Sequence, residues 1–258
     1  METSLHDGPV YGPVRSRRLG LSLGVNLLPR TGKICTFDCA YCECGLNAER
    51  RGPEGFARRD EVASALESQL ARMAGEGCPP DVITFAGNGE PTANPAFPEV
   101  IGDTIALRDR FAPRAKIAVP SNGTLAARPR VREALLRVDD NILKLDTVDA
   151  AYIELLDRPV GAYSVERQIE AYAAFRGHVI IQTMFLRGDL DGHDADNTSE
   201  RFVAPWLAAL ERIAPASVMI YMVARATPMD GLEKAPAEVL DGIAARVRAL
   251  GIPASVSY

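Results

Sequence analysis

The sequence has no apolar run long enough to cross a bilayer. Its longest, Val179–Ile181 and Val218–Val223 with their neighbours, fall far short of the roughly 20 residues a spanning helix needs. The stretch Met1 to Asp7 carries neither a basic nor an apolar segment, so no secretion signal is expected. Histidine is scarce: His6, His178 and His193 are dispersed, and no role is assigned to them. Cysteine is also sparse and odd in number, five in all, with four crowded between residues 35 and 44. That distribution is not a disulfide framework, and it fits a reducing, cytoplasmic setting. Aromatics make up only 6%, which leaves no obvious platform for stacking single-stranded bases. The net charge of −5 argues against a generally basic nucleic-acid binder. Internal repeats, low-complexity segments and Ser/Gly/Pro linkers are absent.

What is present is a 258-residue chain, 47% hydrophobic and 24% charged, enough to bury one large core. Its densest chemistry is Cys35-Thr36-Phe37-Asp38-Cys39-Ala40-Tyr41-Cys42. Thiolates are soft ligands suited to iron–sulfur clusters or zinc. A closed structural site wants four protein ligands, usually in two pairs; here no partner Cys-x-x-Cys or His-x-x-His follows. Three bunched sulfurs suit a cubane that keeps one iron open for a substrate or cofactor. Cys44 reads as a bystander beside this group, with hydrogen-atom donation as its other reading, and Cys78 is expected far from it.

The hydrophobic pattern alternates strands with helices. Strands are expected at 19–28, 81–85, 116–119, 141–146, 178–186, 217–223 and 254–257. Helices are expected from Asp60, over 96–110, from Pro129, around Val165–Tyr172, around Phe202–Ile213 and around Leu240–Leu250; residues 187–199 read as a polar loop. The tally is six strand–helix units. Apolar strands alternating with helices imply a parallel sheet covered by helices. Six units are two short of a closed eight-unit barrel, so the expected fold is a partial (β/α)6 TIM-like barrel over 19–258 behind a short N-terminal extension, 1–18. An open doubly wound sheet is the alternative, although no Gly-x-Gly-x-x-Gly opens a first helix.

In barrels of this kind reactive groups gather at the carboxyl ends of the strands. The polar residues there are the three cysteines, Gly87-Asn88-Gly89-Glu90-Pro91, Ser121-Asn122, Lys144 and Asp146, Gln182, and Tyr221-Met222. Each has a plainer reading. Gly, Asn and Pro are ordinary turn residues, a Lys144–Asp146 pair is worth little at a surface, and Met222 is core by default. Six polar strand ends in succession nonetheless point to one mouth.

The spacing CxxxCxΦC resembles the radical S-adenosylmethionine (SAM) superfamily. Gly87–Pro91 is similar to that superfamily's GGE motif, with Asn88 at one of its positions, and Ser121-Asn122-Gly123 is similar to its ribose-contacting segment. The resemblance implies a [4Fe–4S] cluster on Cys35, Cys39 and Cys42 and SAM on the open iron. It implies that Tyr41 and Met222 to Ala224 lie near the adenine, that Gly87–Pro91 meets the ammonium, that Lys144 meets the carboxylate, that Asp146 holds Lys144 or bonds the ribose, and that Gln182 lines the cavity. The implied chemistry is reductive cleavage of SAM to a 5′-deoxyadenosyl radical that takes hydrogen from a substrate, with an external reductant of flavodoxin or ferredoxin type. Tyr11–Gly20, Ser121–Thr124 and Gln182–Leu186 extend the likeness to the wyosine-type tRNA-modifying synthases and their short bacterial relatives. Unlike those synthases, this chain lacks the cysteines for a second cluster. A glycyl-radical-activating enzyme and a non-enzymatic electron-transfer protein are the rival readings.

Arg15, Arg17, Arg18, Arg30 and Lys33 precede the cysteines with only Glu2 and Asp7 to oppose them. Solvated charge is the plain reading. A phosphate-bearing substrate is the sharper one. With the charge and aromatic content above, a small-molecule substrate is favoured over tRNA.

Overall fold

Runs such as Ile117–Val119 and Val218–Ile220 are apolar on both faces, and a strand of that kind is stable only between two covering layers. The computed structural model, which describes residues 5–16, 20–48, 52, 54–223 and 227–258, shows how they are covered. In chain order the strands and helices are β1 (Val10–Ser16), β2 (Gly20–Val25), α1 (Arg59–Gly75), β3 (Val82–Phe85), α2 (Phe97–Phe111), β4 (Lys116–Ser121), α3 (Pro129–Leu135), β5 (Asp140–Lys144), α4 (Ala150–Leu156), α5 (Val165–Ala173) and β6 (Ile180–Met184). Then follow β7 (Leu186–Leu190), β8 (His193–Asp194), α6 (Glu200–Ile213), β9 (Ser217–Tyr221), β10 (Leu232–Lys234), α7 (Ala237–Ala249) and β11 (Ala254–Ser257).

The main sheet has the order β1-β2-β3-β4-β5-β6-β9-β11. From β2 onward every pairing is parallel, and each new strand is added on the same side. Right-handed crossovers that always step one way place all their helices on one face. A doubly wound sheet needs a point where the order reverses, and this sheet has none. It is therefore an open, partial barrel, with helices outside.

Alternation along each strand sorts the side chains. Leu23, Ile83, Ile117, Leu143, Ile181 and Val218 face the helices and build the main core. Val82, Ala118 and Ile142, with Ile180 and Met219 against them, form a smaller layer on the concave side. Two residues further along the same strands, Lys144, Gln182 and Tyr221 continue that concave face toward the mouth.

Three features depart from the sequence-based expectation. Part of the stretch expected as an extension is strand β1, which pairs antiparallel with β2; Tyr11 lays its ring where Gly24 leaves room, since a Cβ there would lie 2.1 Å from the ring. Residues 187–199 are not simply a loop: β7 pairs antiparallel with β8 and with β10. The short α4, capped by Asp149 accepting from Tyr152 N at 2.9 Å, is too brief to show a helical period. Arg17, Arg18 and Leu19, and Ala224 beside Met222, lie outside the described residues. Among the described residues no helix is long and apolar enough to cross a membrane.

Trp206 on α6 is 1% exposed, meets Phe185 edge-on at 5.3 Å and donates its indole N–H to Leu145 O at 3.0 Å. It thereby fastens α6 to the ends of β5 and β6. Trp206→Ala should lower unfolding free energy by about 3–5 kcal/mol, read from urea denaturation. A loss below about 1 kcal/mol would show that this contact is not a main tie between helix and sheet.

Candidate functional site

The chain leaves β2 and crosses the mouth of the barrel as the cysteine loop. Two neighbours hold it. On one side Ile34 forms a parallel bridge with Gly89: Ile34 N donates to Asn88 O at 3.1 Å and Glu90 N to Ile34 O at 3.0 Å. On the other, Phe37 forms an antiparallel bridge with Pro159, with Asp38 N to Asp157 O at 3.0 Å, Ala40 N to Leu156 O at 2.8 Å and Val160 N to Thr36 O at 2.9 Å. Gly89 serves this close approach. Gly89 has φ +129°, and a Cβ there would sit 1.9 Å from Ile34 O, a position no other residue type tolerates.

Glu90 ties the loop after β3 to the loop after β4. Its buried carboxylate accepts from Thr92 N at 3.0 Å, Thr92 Oγ1 at 2.5 Å, Ser121 Oγ at 2.8 Å and Asn122 N at 2.7 Å. Burial raises its pKa against those four donors. Asn122 passes the connection on: its amide donates to Thr36 Oγ1 at 2.8 Å and to Cys35 Sγ at 3.6 Å. Gly123, at φ +75°, makes room for Tyr172, whose Oη would lie 1.8 Å from a Cβ.

A buried ionic cluster stands at the ends of β5. Lys144 Nζ pairs with Asp146 and, at 2.7 Å, with Asp157 Oδ1, and it also contacts Tyr41 Oη. Its ammonium lies 4.8 Å from the Tyr41 ring centre, and Tyr41 Oη donates to Asp146. Burial works to lower the Lys144 pKa, but Asp146 and Asp157 outweigh it and hold it up. Burial also outweighs Lys144 at Asp157, whose pKa stands at about 6.

The three thiols share this environment. Desolvation, then Glu90, raises Cys35 to about 12, and desolvation raises Cys39. Cys42 is lowered to about 6, by the neighbouring Cys44 thiol and then by the Lys33 charge. Among the described residues no three His, Cys, Asp or Glu side chains converge as one metal ion would require. A cluster of several irons spreads its ligands over separate corners, and three thiols from a loop pinned on both sides fit that demand. Cys35, Cys39 and Cys42 would hold such a group.

The structure therefore brings together Tyr41, Glu90, Ser121, Asn122, Lys144 and Asp146, with Gln182 on the same concave face. It places two others elsewhere. The Asn88 side chain points away from the mouth, accepting from His6 N at 2.8 Å and donating to His6 O at 2.8 Å and Pro29 O at 2.7 Å. Met222 packs with Val218 and Ile220 in the helix-facing core, while Tyr221 and Val223 turn to the mouth side. The three of the five basic residues that are described do not gather. Arg15 stands at the far end of the barrel with Cys78, Arg30 pairs with Glu61, Lys33 is buried, and Arg17 and Arg18 are not described. Cys44 donates to Gly87 O at 3.4 Å. Asp157, Thr36 and the buried state of Lys33 escaped the sequence reading. Asp157 ends a helix too short to recognise, and nothing in its spacing marks it. Beside the loop opens a cavity of about 430 Å³, lined in part by Thr36, Thr124, Arg128, Tyr163, Arg167 and Gln168.

No family model matches the chain. It is similar to UPF0026 proteins of Helicobacter pylori (31% identical over 183 residues, 69% of this chain and 56% of the relative) and Synechocystis (29% over 225 residues, 85% and 77%), and of Methanocaldococcus jannaschii (33% over 184 residues, 68% and 53%). The chain spans about half the length of the Helicobacter and Methanocaldococcus relatives. Among solved structures, its fold is that of radical SAM enzymes. A radical SAM methyltransferase from Sphaerobacter thermophilus superposes with TM-score 0.66 at 18% identity, over 92% of this chain and 66% of the other. SuiB of Streptococcus suis bound to S-adenosylmethionine gives 0.64 at 14%, over 91% and 50%. TYW1 with a lysine–pyruvate adduct gives 0.61 at 13%, over 88% and 73%.

Because the Asn88 amide is consumed by the segment around His6 and Pro29, Asn88→Ala should act on stability. A loss of about 1–3 kcal/mol is expected in urea unfolding. Stability equal to the wild type would show that these bonds fasten nothing.

Proposed function

We propose that this chain is a radical SAM enzyme, with a [4Fe–4S] cluster on Cys35, Cys39 and Cys42 and SAM bound beside it. The observation that carries the reading is the cysteine loop itself, pinned between Gly89 and Pro159 across the mouth of a fold shared with such enzymes. When bound, the cluster supplies one electron for reductive cleavage of SAM, giving a 5′-deoxyadenosyl radical able to abstract hydrogen. The chain's own residues bind and orient. Among the described residues no backbone N–H donates to the Gly89 carbonyl, which suits it to the SAM ammonium, a group that offers donors only. The Gly87–Pro91 backbone forms that edge, and the Glu90 carboxylate, already saturated, fixes its shape. Lys144 supplies a cation for the carboxylate, held in place by Asp146 and Asp157. Ser121, Asn122, Tyr41 and Gln182 complete the polar wall, and the buried surroundings of these groups keep water out.

The electron source is an external reductant of flavodoxin or ferredoxin type. A small-molecule substrate is favoured over tRNA: the cavity beside Thr36 has the volume of a small-ligand site, and among the described residues Arg15, Arg30 and Lys33 form no common surface. The likeness to TYW1 is one of fold, and Cys44 and Cys78 cannot supply a second cluster. Protein reconstituted anaerobically should hold about four irons per chain and, with SAM and reductant, release 5′-deoxyadenosine and methionine. The triple variant Cys35→Ala, Cys39→Ala, Cys42→Ala should lose both iron and cleavage, whereas Cys44→Ala and Cys78→Ala should keep the iron. Iron bound without any SAM cleavage would favour the electron-transfer reading instead.

A further inference from the structure

Lys33 sits two residues before the first cysteine, and its side chain is 0% exposed. A lysine normally keeps its ammonium in water by extending its stem, and a charge taken from water is costly unless it is compensated. Here Nζ is folded into the cysteine loop. It donates to Gly45 O at 2.7 Å and lies 3.4 Å from Asp38 Oδ1. Gly45 N in turn donates to Cys42 O at 2.9 Å, so the segment that encircles the ammonium is the one that carries the cysteines. Asp38 is an incomplete counter-charge: it stands at long range, also accepts from Asn47 N at 2.7 Å, and is 18% exposed, so water screens it more than it screens Lys33. A neutral donor such as Gln is able to bond a carbonyl, so fastening the loop does not by itself call for a charge.

We propose that Lys33 is a buried cation that sets the reduction potential of the metal centre carried by Cys35, Cys39 and Cys42. The inference rests on the cluster reading above. Adding an electron makes the centre more negative, and a fixed positive charge within a low-dielectric loop favours that form. A lysine carries its charge at neutral pH, and here that charge is held inside the loop against Gly45 O and Asp38. The Asn122 N–H directed at Cys35 Sγ acts in the same sense with a partial charge. Lys144, by contrast, is matched by two buried carboxylates, which leaves Lys33, among the described residues, the less offset of these two lysines.

The test uses anaerobically reconstituted full-length protein without SAM. Iron is measured first, and the reduced centre is then followed by EPR through a potentiometric titration. Lys33→Gln should retain its iron and be reduced about tenfold less favourably at a given potential, a shift of about 59 mV to more negative values for one electron. Lys33→Arg should stay close to the wild type. An unchanged potential in an iron-replete Lys33→Gln protein overturns the inference. So does loss of iron from that variant with its circular dichroism intact, which would make Lys33 a loop fastener. Should Lys33→Gln fail to fold, Asp38→Asn gives the converse reading: its potential should move positive, and no movement overturns the inference. A wild type that binds no iron would overturn the cluster reading beneath it, a separate outcome.

Discussion

The structure depends on one backbone approach, that of Ile34–Ala40 lying between Asn88–Glu90 and Leu156–Val160. A loop carrying three metal-ligand candidates cannot be left mobile, since thiol positions set the geometry of anything they hold. Strand-like hydrogen bonds on both edges remove that freedom. Gly89 is what permits the first edge, and the end of α4 supplies the second.

Around this constraint the remaining polar groups are mostly spoken for by the chain itself. Glu90 has four donors, Asn122 bridges to Thr36, and Lys144 lies between Asp146 and Asp157. Buried polar groups must be satisfied, and here their partners come from loops that follow four different strands. The network therefore knits the strand ends into one unit.

The architecture puts these groups together without any local sequence proximity. Because each parallel strand is added on the same side of the last, all carboxyl ends open at one mouth, and all helices cover the opposite face. Cys35, Glu90, Asn122 and Lys144 are separated by tens of residues, yet the hydrogen bonds and ion pairs connect them.

The sequence by itself determined the strand–helix alternation, the parallel sheet and the cysteine motif, because period and spacing are local properties. It also marked Gly87–Pro91, Ser121-Asn122, Lys144 and Asp146 through their place after apolar strands. Side-chain direction was a different matter. Met222 reads as a wall of the mouth, but alternation from Val218 turns it into the helix-facing core. Asn88 sits inside the motif, but its amide is used by the segment around His6. Lys33 reads as surface charge and is buried. Asp157 had no signal at all, because α4 spans fewer than two helical turns beyond its caps. Only the tertiary structure decided these, since burial and partner choice follow from elements distant in the chain, while pattern reports only on neighbours.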